Sequence, residues 1–241
     1  MTAQRRPIAW PLLLVGVWAA TSGTPGAVAA RPVTFAADDG TALAGTFYES
    51  DVRPSPGVVL VHMLHRSRSD WADVGGQLAA AGVSALAFDL RGHGGSSGQA
   101  DALPAMTRDV GAAVEWLAAR AGLRPDAIGV AGASLGANLA LMAAAERPAI
   151  RAVAAISPSV DYRGVRVGPD VMRRIGERPV WLAASTEDPL ALRTLKELSP
   201  SGPGPRDQYL SPAAAHGTNL LTADGNLSRA LVDWLCQRLL S

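Results

Sequence analysis

The feature that most constrains the fold of this chain is the stretch from Asp126 to Glu146. It begins with a short apolar run typical of a buried strand and continues as an alanine-rich segment with leucine and methionine at helical spacing. Ser134 lies between the two, with Gly132 and Gly136 two positions to either side. A serine on a sharp strand-to-helix turn needs small neighbours, because the helix folds back closely over the strand. The stretch therefore predicts a strand, a turn and a helix, with Ser134 at the turn as a candidate nucleophile.

The helix predicted after this turn has a chemical property of its own. Its first amides have no partner within the helix, and together with the positive end of the helix dipole they favour negative charge near Ser134. The amide of Leu135 is therefore predicted to be an oxyanion donor. A Gly-x-Ser-x-Gly motif alone is a weak signal in a chain with 25 glycines, so a glycine-rich packing turn is the alternative.

Composition excludes several classes of protein. The 241 residues suit one α/β domain with a sizeable core. The net charge is +1 and the arginines are scattered, which argues against nucleic acid as a partner. Cys236 is the only cysteine, so neither an intramolecular disulfide nor a cysteine-based metal site is possible. These patterns predict no cofactor.

The N-terminal segment differs from the rest of the chain. An arginine pair precedes the apolar stretch from Ile8 to Ala20, and a polar segment then leads to an Ala-Val-Ala-Ala sequence that ends at Ala30. This three-part pattern predicts a secretory signal peptide over residues 1–30, a mature domain over residues 31–241, and a periplasmic or secreted protein. An uncleaved membrane anchor is the weaker interpretation, because the apolar part is shorter than the roughly 20 residues that span a bilayer.

The remaining chain alternates between strand-like and helix-like segments. Two strand-like runs around an Asp-Asp-Gly-Thr turn predict an antiparallel hairpin, and repeated strand-helix units follow it. Ser69 is the predicted N-cap of a helix that ends at Gly82. This order predicts an α/β fold, with a mostly parallel sheet and helices on both faces. Besides the elements on either side of Ser134, strands are predicted at 33–35, 43–48, 58–61, 83–88, 150–156, 178–184 and 207–210, and helices at 106–121, 190–198 and 226–240.

Catalytic groups in such sheets collect at the carboxyl ends of the strands. Met63 follows a predicted central strand and is the candidate for a second backbone oxyanion donor. Asp188 follows another strand, where it is either a helix N-cap or the carboxylate that orients a histidine. His216 is the only one of the four histidines that lies after both Ser134 and a suitable acid. The glycine-rich segment 89–96 is interpreted as a tight structural turn rather than a phosphate loop.

The chain order Ser134, Asp188, His216 differs from the orders in the two protease folds that reach the same geometry. Together with the Gly-x-Ser-x-Gly turn, it resembles that of the α/β-hydrolases, in particular the small lidless esterases and the dienelactone-hydrolase-like members. The resemblance covers nearly the whole predicted mature domain. It implies that Ser134 is the nucleophile, His216 the general base and acid, Asp188 the acid member, and the amides of Met63 and Leu135 the oxyanion hole.

Two departures from the family pattern concern the segment after the central strand. Members of the family often have His-Gly where this chain has His62-Met63. The methionine keeps a backbone donor, but its side chain is expected to project towards the acyl pocket and narrow it. His62, His65 and His93 come from different strand ends, and no carboxylates stand at a spacing that supports a metal cluster, so no catalytic metal is expected.

A second acid is also available. Asp161 follows the strand after the nucleophile helix, a position from which some hydrolases of this fold take their acid. Asp188 is preferred because its Glu-Asp-Pro context resembles the usual acid loop.

The substrate is less constrained than the site. The connection from Ser157 to Glu177 is too short for a large helical cap, so an open site is predicted. The first hypothesis is a secreted serine hydrolase of small or medium acyl esters, with a small-molecule ester as its partner. An exported peptidase, a thioesterase or a lactone hydrolase is the alternative among enzymes, and a non-catalytic binding protein is the alternative outside them. Four arginines of the connection either meet an anionic substrate or form a solvated face paired with Asp170 and Glu177, and the solvated face is preferred. They are Arg163, Arg166, Arg173 and Arg174.

Overall fold

The structure is a computed structural model and describes residues 29–241. The strands of this part of the chain are β1 (Ala30–Ala36), β2 (Ala42–Tyr48), β3 (Ser55–Val61), β4 (Ser84–Phe88), β5 (Leu123–Ala133), β6 (Ile150–Ile156), β7 (Asp161–Tyr162), β8 (Val165–Arg166), β9 (Val180–Ser185) and β10 (Arg206–Ser211). Eight of them form one sheet in the order β1-β2-β4-β3-β5-β6-β9-β10. The pairs β1/β2 and β2/β4 are antiparallel, and all other neighbours in this sheet are parallel. The predicted mostly parallel sheet is confirmed.

Helices cover both faces of the sheet. They are α1 (Ala72–Ala80), α2 (Met106–Ala118), α3 (Leu135–Glu146), α4 (Pro169–Ile175), α5 (Pro189–Leu198), α6 (Asn219–Ala223) and α7 (Gly225–Leu239). One apolar core joins the sheet to α2, α3, α4 and α5, and a second core joins its other face to α1, α6 and α7. Strand β3 contributes to both cores, with Val59 and Val61 in the first and Val58 and Leu60 in the second. A strand buried on both faces explains the continuous apolar run in the sequence.

The start of α1 differs from the prediction. Ser69 does not cap the helix: it lies inside a 3-10 turn over Arg68–Trp71, and Ser67 precedes that turn. The turn begins at Arg68 because its N–H donates to the buried Asp89 carboxylate at 2.7 Å, while the Ser69 hydroxyl bonds the hydroxyl of Ser67. A contact across more than 20 residues therefore decides where this helix begins. The predicted helix at 106–121 also ends earlier, at Ala118.

The segment between β6 and β9 has structure that the sequence did not predict. It forms the β7/β8 hairpin and the short helix α4, and no large cap is present within residues 157–179. Asn138, fully buried on α3, fastens this segment: its side-chain nitrogen donates to the carbonyls of Ser159 and Val165, and its oxygen accepts from the Ser159 N–H. The segment after β6 is thus held to α3.

Statements about the N-terminal segment stay predictions, because residues 1–28 lie outside the described residues. They include almost all of the predicted signal peptide. Within residues 29–241, no helix is long and apolar enough to cross a membrane.

Candidate active site

Ser134 lies between β5 and α3 with a strained backbone. Its φ is 52°, a left-handed value that is rare outside glycine, and its N–H donates to the Ile156 carbonyl at 2.8 Å. Both flanking glycines are needed for the turn. A Cβ atom on Gly132 would lie 2.1 Å from the Gly136 oxygen, and one on Gly136 would lie 2.4 Å from the Val61 oxygen. The helix therefore packs against the strands at a distance that excludes side chains.

The three residues predicted as a triad form a continuous chain of hydrogen bonds. His216 Nε2 is 2.8 Å from Ser134 Oγ, and His216 Nδ1 is 2.5 Å from Asp188 Oδ2. The residues come from three separate strand ends, after β5, β9 and β10. The His216 side chain is 50% exposed, whereas that of Asp188 is 14% exposed. Because a carboxylate on Nδ1 places the proton there, Nε2 is left free to accept the serine proton.

Asp188 fulfils both roles that the sequence left open. One carboxylate oxygen contacts His216, and the other accepts the N–H of Ala191 at 3.0 Å as the N-cap of α5. Pro189 occupies the first turn of that helix, as the sequence predicted. Capping fixes the carboxylate on a rigid element, so it also fixes the direction from which the imidazole is held.

Asp161 does not contact His216. It lies in the β7/β8 hairpin, 41% exposed, where it accepts from Arg166 Nε and from the Gly164 N–H, each at 2.7 Å. These two donors lower the pKa of its carboxyl, with the Gly164 N–H contributing most. The structure therefore brings Asp188 to the histidine and uses Asp161 within its own hairpin.

The amides of Met63 and Leu135 are the two candidate oxyanion donors. No described residue accepts a hydrogen bond from the amide of Met63 or of Leu135. The carbonyl of Met63 is occupied instead, since it accepts from His62 Nδ1 at 2.7 Å and from the Arg66 N–H at 3.2 Å. Both amides are thus available to a ligand at Ser134.

The Met63 side chain lies at the site. A Cβ atom on Gly217 would be 2.6 Å from the Met63 sulfur and 3.5 Å from the Ser134 Cβ. The thioether therefore packs against Gly217, immediately next to the serine. That this methionine narrows an acyl pocket stays a prediction.

The rings of His62 and His93 hydrogen-bond backbone groups. His62 is fully buried, donates from Nδ1 to the Met63 carbonyl and accepts the Leu90 N–H on Nε2 at 3.0 Å. His93 donates to the Arg91 carbonyl, and its Nε2 accepts the His65 N–H at 3.3 Å. Within residues 29–241, no three His, Cys, Asp or Glu side chains are placed to hold a metal ion together.

The glycine-rich segment 89–96 is a structural turn. Asp89 is fully buried and accepts the N–H groups of Arg68 and Gly95 at 2.7 and 2.8 Å. Arg91 forms a buried ion pair with Asp109 at 2.6 Å. These contacts hold the buried acid and the buried arginine of the turn within the fold, as expected of a structural turn.

The arginines after β6 fall into two groups. Arg166 pairs with Asp161 and Arg173 with Asp170, as expected of a solvated face. Among the described residues, neither Arg163 nor Arg174 has a carboxylate within ion-pair distance. Glu177, expected to pair with this face, forms no such ion pair with a described residue.

Comparison with known proteins establishes the family. The chain matches the family model described as serine aminopeptidase, S33, over residues 53–196, more than half of its length. It therefore belongs to that family of α/β-hydrolases, which confirms the resemblance inferred from the motif.

The chain is also similar in sequence to a protein of Mycobacterium tuberculosis. Over 121 residues the chain is 34% identical to an uncharacterized protein of Mycobacterium tuberculosis, matched in strains CDC 1551 and H37Rv. That match covers 50% of this chain and 43% of the relative, so the chain matches less than half the length of that protein.

Solved structures share the fold at low sequence identity. An esterase of Pyrococcus furiosus has a TM-score of 0.73 at 20% identity, with 95% of this chain and 97% of that chain covered. A dienelactone hydrolase of Anabaena variabilis also has a TM-score of 0.73, at 19% identity, with 88% and 99% covered. At these identities the likeness establishes the fold.

Proposed function

We propose that this protein is an exported serine hydrolase that cleaves carboxylic esters with small or medium acyl groups through an acyl-enzyme. The observation that carries the proposal is the continuous hydrogen-bonded chain from Asp188 through His216 to Ser134. A serine hydroxyl is a poor nucleophile until a neighbouring base takes its proton. In this proposal the base is His216, whose Nε2 is hydrogen-bonded to the Ser134 hydroxyl.

The reaction has two halves in this proposal. Ser134 Oγ attacks the ester carbonyl carbon while its proton passes to His216 Nε2, and the carbonyl oxygen becomes an oxyanion held by the amides of Met63 and Leu135. Collapse of this intermediate breaks the bond to the alcohol, whose oxygen takes the proton from Nε2. Water then attacks the acyl-enzyme with the same imidazole as base, which releases the acid and restores the serine.

Asp188 supports both halves without giving up its own charge. Its carboxylate keeps the Nδ1–H tautomer and stabilises the imidazolium that forms when Nε2 accepts a proton. Its second oxygen caps α5, so the carboxylate does not need to reorganise during the reaction.

The short acyl preference rests on Met63. Its thioether occupies space next to Gly217 and Ser134, which limits the volume beside the attacking oxygen. The absence of a large cap over residues 157–179 favours an open site that admits varied alcohols.

The test is hydrolysis of p-nitrophenyl esters from acetate to dodecanoate by protein that begins at Arg31. Turnover is expected to peak at short chains and to vanish in Ser134→Ala. Ser69 is an exposed serine outside the site, so the control variant Ser69→Ala should keep full activity. Labelling by a fluorophosphonate probe should follow the same pattern. Well-folded wild-type protein that neither turns over esters nor takes the label would support the non-catalytic binding protein instead.

A peptidase is the second candidate because the matched family is described as serine aminopeptidase, S33. The same acyl-transfer geometry serves an amide, provided that His216 protonates the leaving amine. Parallel assays with amino-acid p-nitroanilides distinguish the two activities. A kcat/KM for a p-nitroanilide above that for p-nitrophenyl butyrate would favour the peptidase.

Export is proposed from the sequence of residues 1–30. N-terminal sequencing of protein from the periplasm or culture medium of an expressing bacterium is expected to begin at Ala30 or Arg31. An intact N-terminus in the membrane fraction would favour the uncleaved anchor.

A further inference from the structure

His216 lies on a loop between β10 and α6, and its imidazole is half exposed. The ring is hydrogen-bonded to Ser134 and Asp188, but the distance from Nε2 to the Ser134 hydroxyl also depends on where the backbone of the loop lies. The peptide bond after His216 ends in the Gly217 N–H, which donates to Ser157 Oγ at 3.0 Å in a buried contact. The carbonyl of the same peptide accepts the Asn219 N–H at 3.2 Å within the loop, whereas the bond to Ser157 ties the peptide to the residue that follows β6.

Ser157 is built like Ser134. It follows β6 as Ser134 follows β5, and the two strands are parallel neighbours whose last residues, Ala133 and Ile156, are paired. Its φ is 50°, against 52° for Ser134, and its side chain is buried. Its own N–H donates to the Ala183 carbonyl of β9 at 2.7 Å, which fixes its backbone within the sheet.

A left-handed φ costs a non-glycine residue roughly 1 kcal/mol or more, and glycine would remove that cost. A glycine at this position would avoid the strain but would lack the hydroxyl. The contact that the hydroxyl makes is with the residue next to the histidine. The left-handed backbone and the hydrogen bond are two separate observations, and both favour a role for Ser157 in holding the histidine loop.

Gly217 is confined on its other side as well. Its φ is 59°, and a Cβ atom there would be 2.6 Å from the Met63 sulfur. Its peptide is thus packed against Met63 and hydrogen-bonded to Ser157. If the Ser157 hydroxyl is lost, this peptide can move away from Ser157, and the imidazole moves with it.

The next residue along the loop has an independent anchor. The Thr218 hydroxyl donates to Asp70, whose carboxylate is also held by Arg66 through two hydrogen bonds of 2.9 Å. Because this anchor does not involve Ser157, the loop stays attached to the domain when Ser157 is changed. The expected consequence is displacement of His216 rather than unfolding of its loop.

We propose that Ser157 is a positioning residue that holds His216 within proton-transfer distance of Ser134 through the Gly217 N–H. The inference rests on the proposed serine hydrolase function. Positioning errors of about 1 Å at a reacting group cost up to roughly 100-fold in rate. Ser157 acts on the distance between base and nucleophile, so its loss should lower kcat with little change in KM.

Three variants separate the hydrogen bond from the strain. Ser157→Ala removes the acceptor and keeps the strain, whereas Ser157→Gly removes both. Both are expected to lower kcat for p-nitrophenyl butyrate by about 10-fold or more, with KM within about 2-fold. Ser157→Cys keeps a weak sulfur acceptor and should fall between these variants and wild type. Ser159→Ala, a serine two residues along whose hydroxyl contacts the Asp161 carbonyl, is the matched control and should keep wild-type kcat.

A double-mutant cycle tests whether Ser157 acts through His216. The rate of fluorophosphonate labelling of Ser134 is measured for wild type, Ser157→Gly, His216→Ala and the double variant. Ser157→Gly should slow labelling about 10-fold in wild type and have no further effect in the His216→Ala background. An equal effect in both backgrounds would overturn the inference, as would kcat values for the alanine and glycine variants within 2-fold of wild type. Wild-type protein without serine-dependent turnover would instead overturn the proposed function, so the two failures are distinguishable.

Discussion

Two histidines follow strands of the same sheet and end up in opposite environments. His62 comes after β3 and is fully buried, with both ring nitrogens bonded to backbone groups. His216 comes after β10 and is half exposed, with its nitrogens on a serine and a carboxylate. The two imidazoles therefore differ in what they bind: His62 binds backbone groups of the fold, and His216 binds two side chains of the candidate site.

The largest expected effect comes from His216→Ala. Loss of the general base should lower kcat for a short p-nitrophenyl ester by about 10⁶-fold, as removal of the histidine does in other triads. The melting temperature should change little, because the side chain is half exposed. Steady-state kinetics and thermal unfolding of the same preparation check both statements. A variant that keeps a tenth of wild-type activity would place the base elsewhere.

The next effect concerns the acid beside His216. Asp188→Asn removes the carboxylate that fixes the tautomer and should lower kcat by about 10⁴-fold, while the amide oxygen can still cap α5. Asp161→Asn is the matched control, since Asp161 bonds only within its own hairpin among the described residues. Its kcat should stay within about 2-fold of wild type, given that the change is confined to an exposed ion pair. The reverse order of the two effects would make Asp161 the acid.

For His62 the expected effect is on stability. His62→Ala leaves a cavity and removes the partners of the Leu90 N–H and the Met63 carbonyl, which should lower the free energy of unfolding by about 3 kcal/mol. His65→Ala is the control: its imidazole is exposed, so the loss should stay below about 1 kcal/mol. Urea unfolding at pH 7 measures both. Equal losses of unfolding free energy in the two variants would contradict a stabilising role for the buried His62 ring.

The pH dependence of stability sharpens the same comparison. Burial lowers the pKa of His62 from 6.5 to about 4, although its hydrogen bond to the Met63 carbonyl acts in the opposite direction. Between these two values the unfolded chain binds a proton that the folded protein does not, so stability rises with pH. Lowering the pH from 6.5 to 4 should therefore cost about 3 kcal/mol through this group. Urea unfolding should show a flatter pH dependence in His62→Ala, and an unchanged slope would contradict the buried neutral imidazole.

The smallest expected effect is on acyl-chain selectivity. Met63→Gly removes the thioether beside Gly217 and Ser134 but keeps the backbone amide. The ratio of kcat/KM for p-nitrophenyl octanoate to that for butyrate should rise by about 5-fold, as expected for a pocket gaining space for a few methylenes. Met63→Leu keeps the bulk and should leave the ratio unchanged. A chain-length profile that does not move in the glycine variant would show that Met63 does not limit the acyl group.

Much of this architecture can be read from local patterns. The apolar run of β5, the glycines around Ser134 and the helical spacing of α3 each follow from backbone sterics and periodicity within about 20 residues. The same holds for the N-cap at Asp188, which needs only the residues of its own helix. The order of strands and helices then restricts which segments end at one edge of the sheet, so the candidates for the site could be named. Their catalytic roles remain predictions.

Other features depend on contacts between distant segments. The 3-10 turn before α1 begins where Asp89 captures the Arg68 N–H, and no pattern within the helix itself indicates this. The β7/β8 hairpin has no clear sequence signal, because each strand is only two residues long and the hairpin is held by a hydrogen bond from Asn138 on α3.

By itself the sequence determined the class of fold, the strained turn at Ser134 and a short set of acids and histidines, because these depend on neighbours along the chain. Only the tertiary structure brought Asp188 rather than Asp161 into contact with His216, buried His62 while leaving His216 at the surface, and placed Ser157 beside the histidine loop. Those outcomes depend on sheet register and on which strand ends lie side by side, and contacts across 28 to 82 residues leave no local signal.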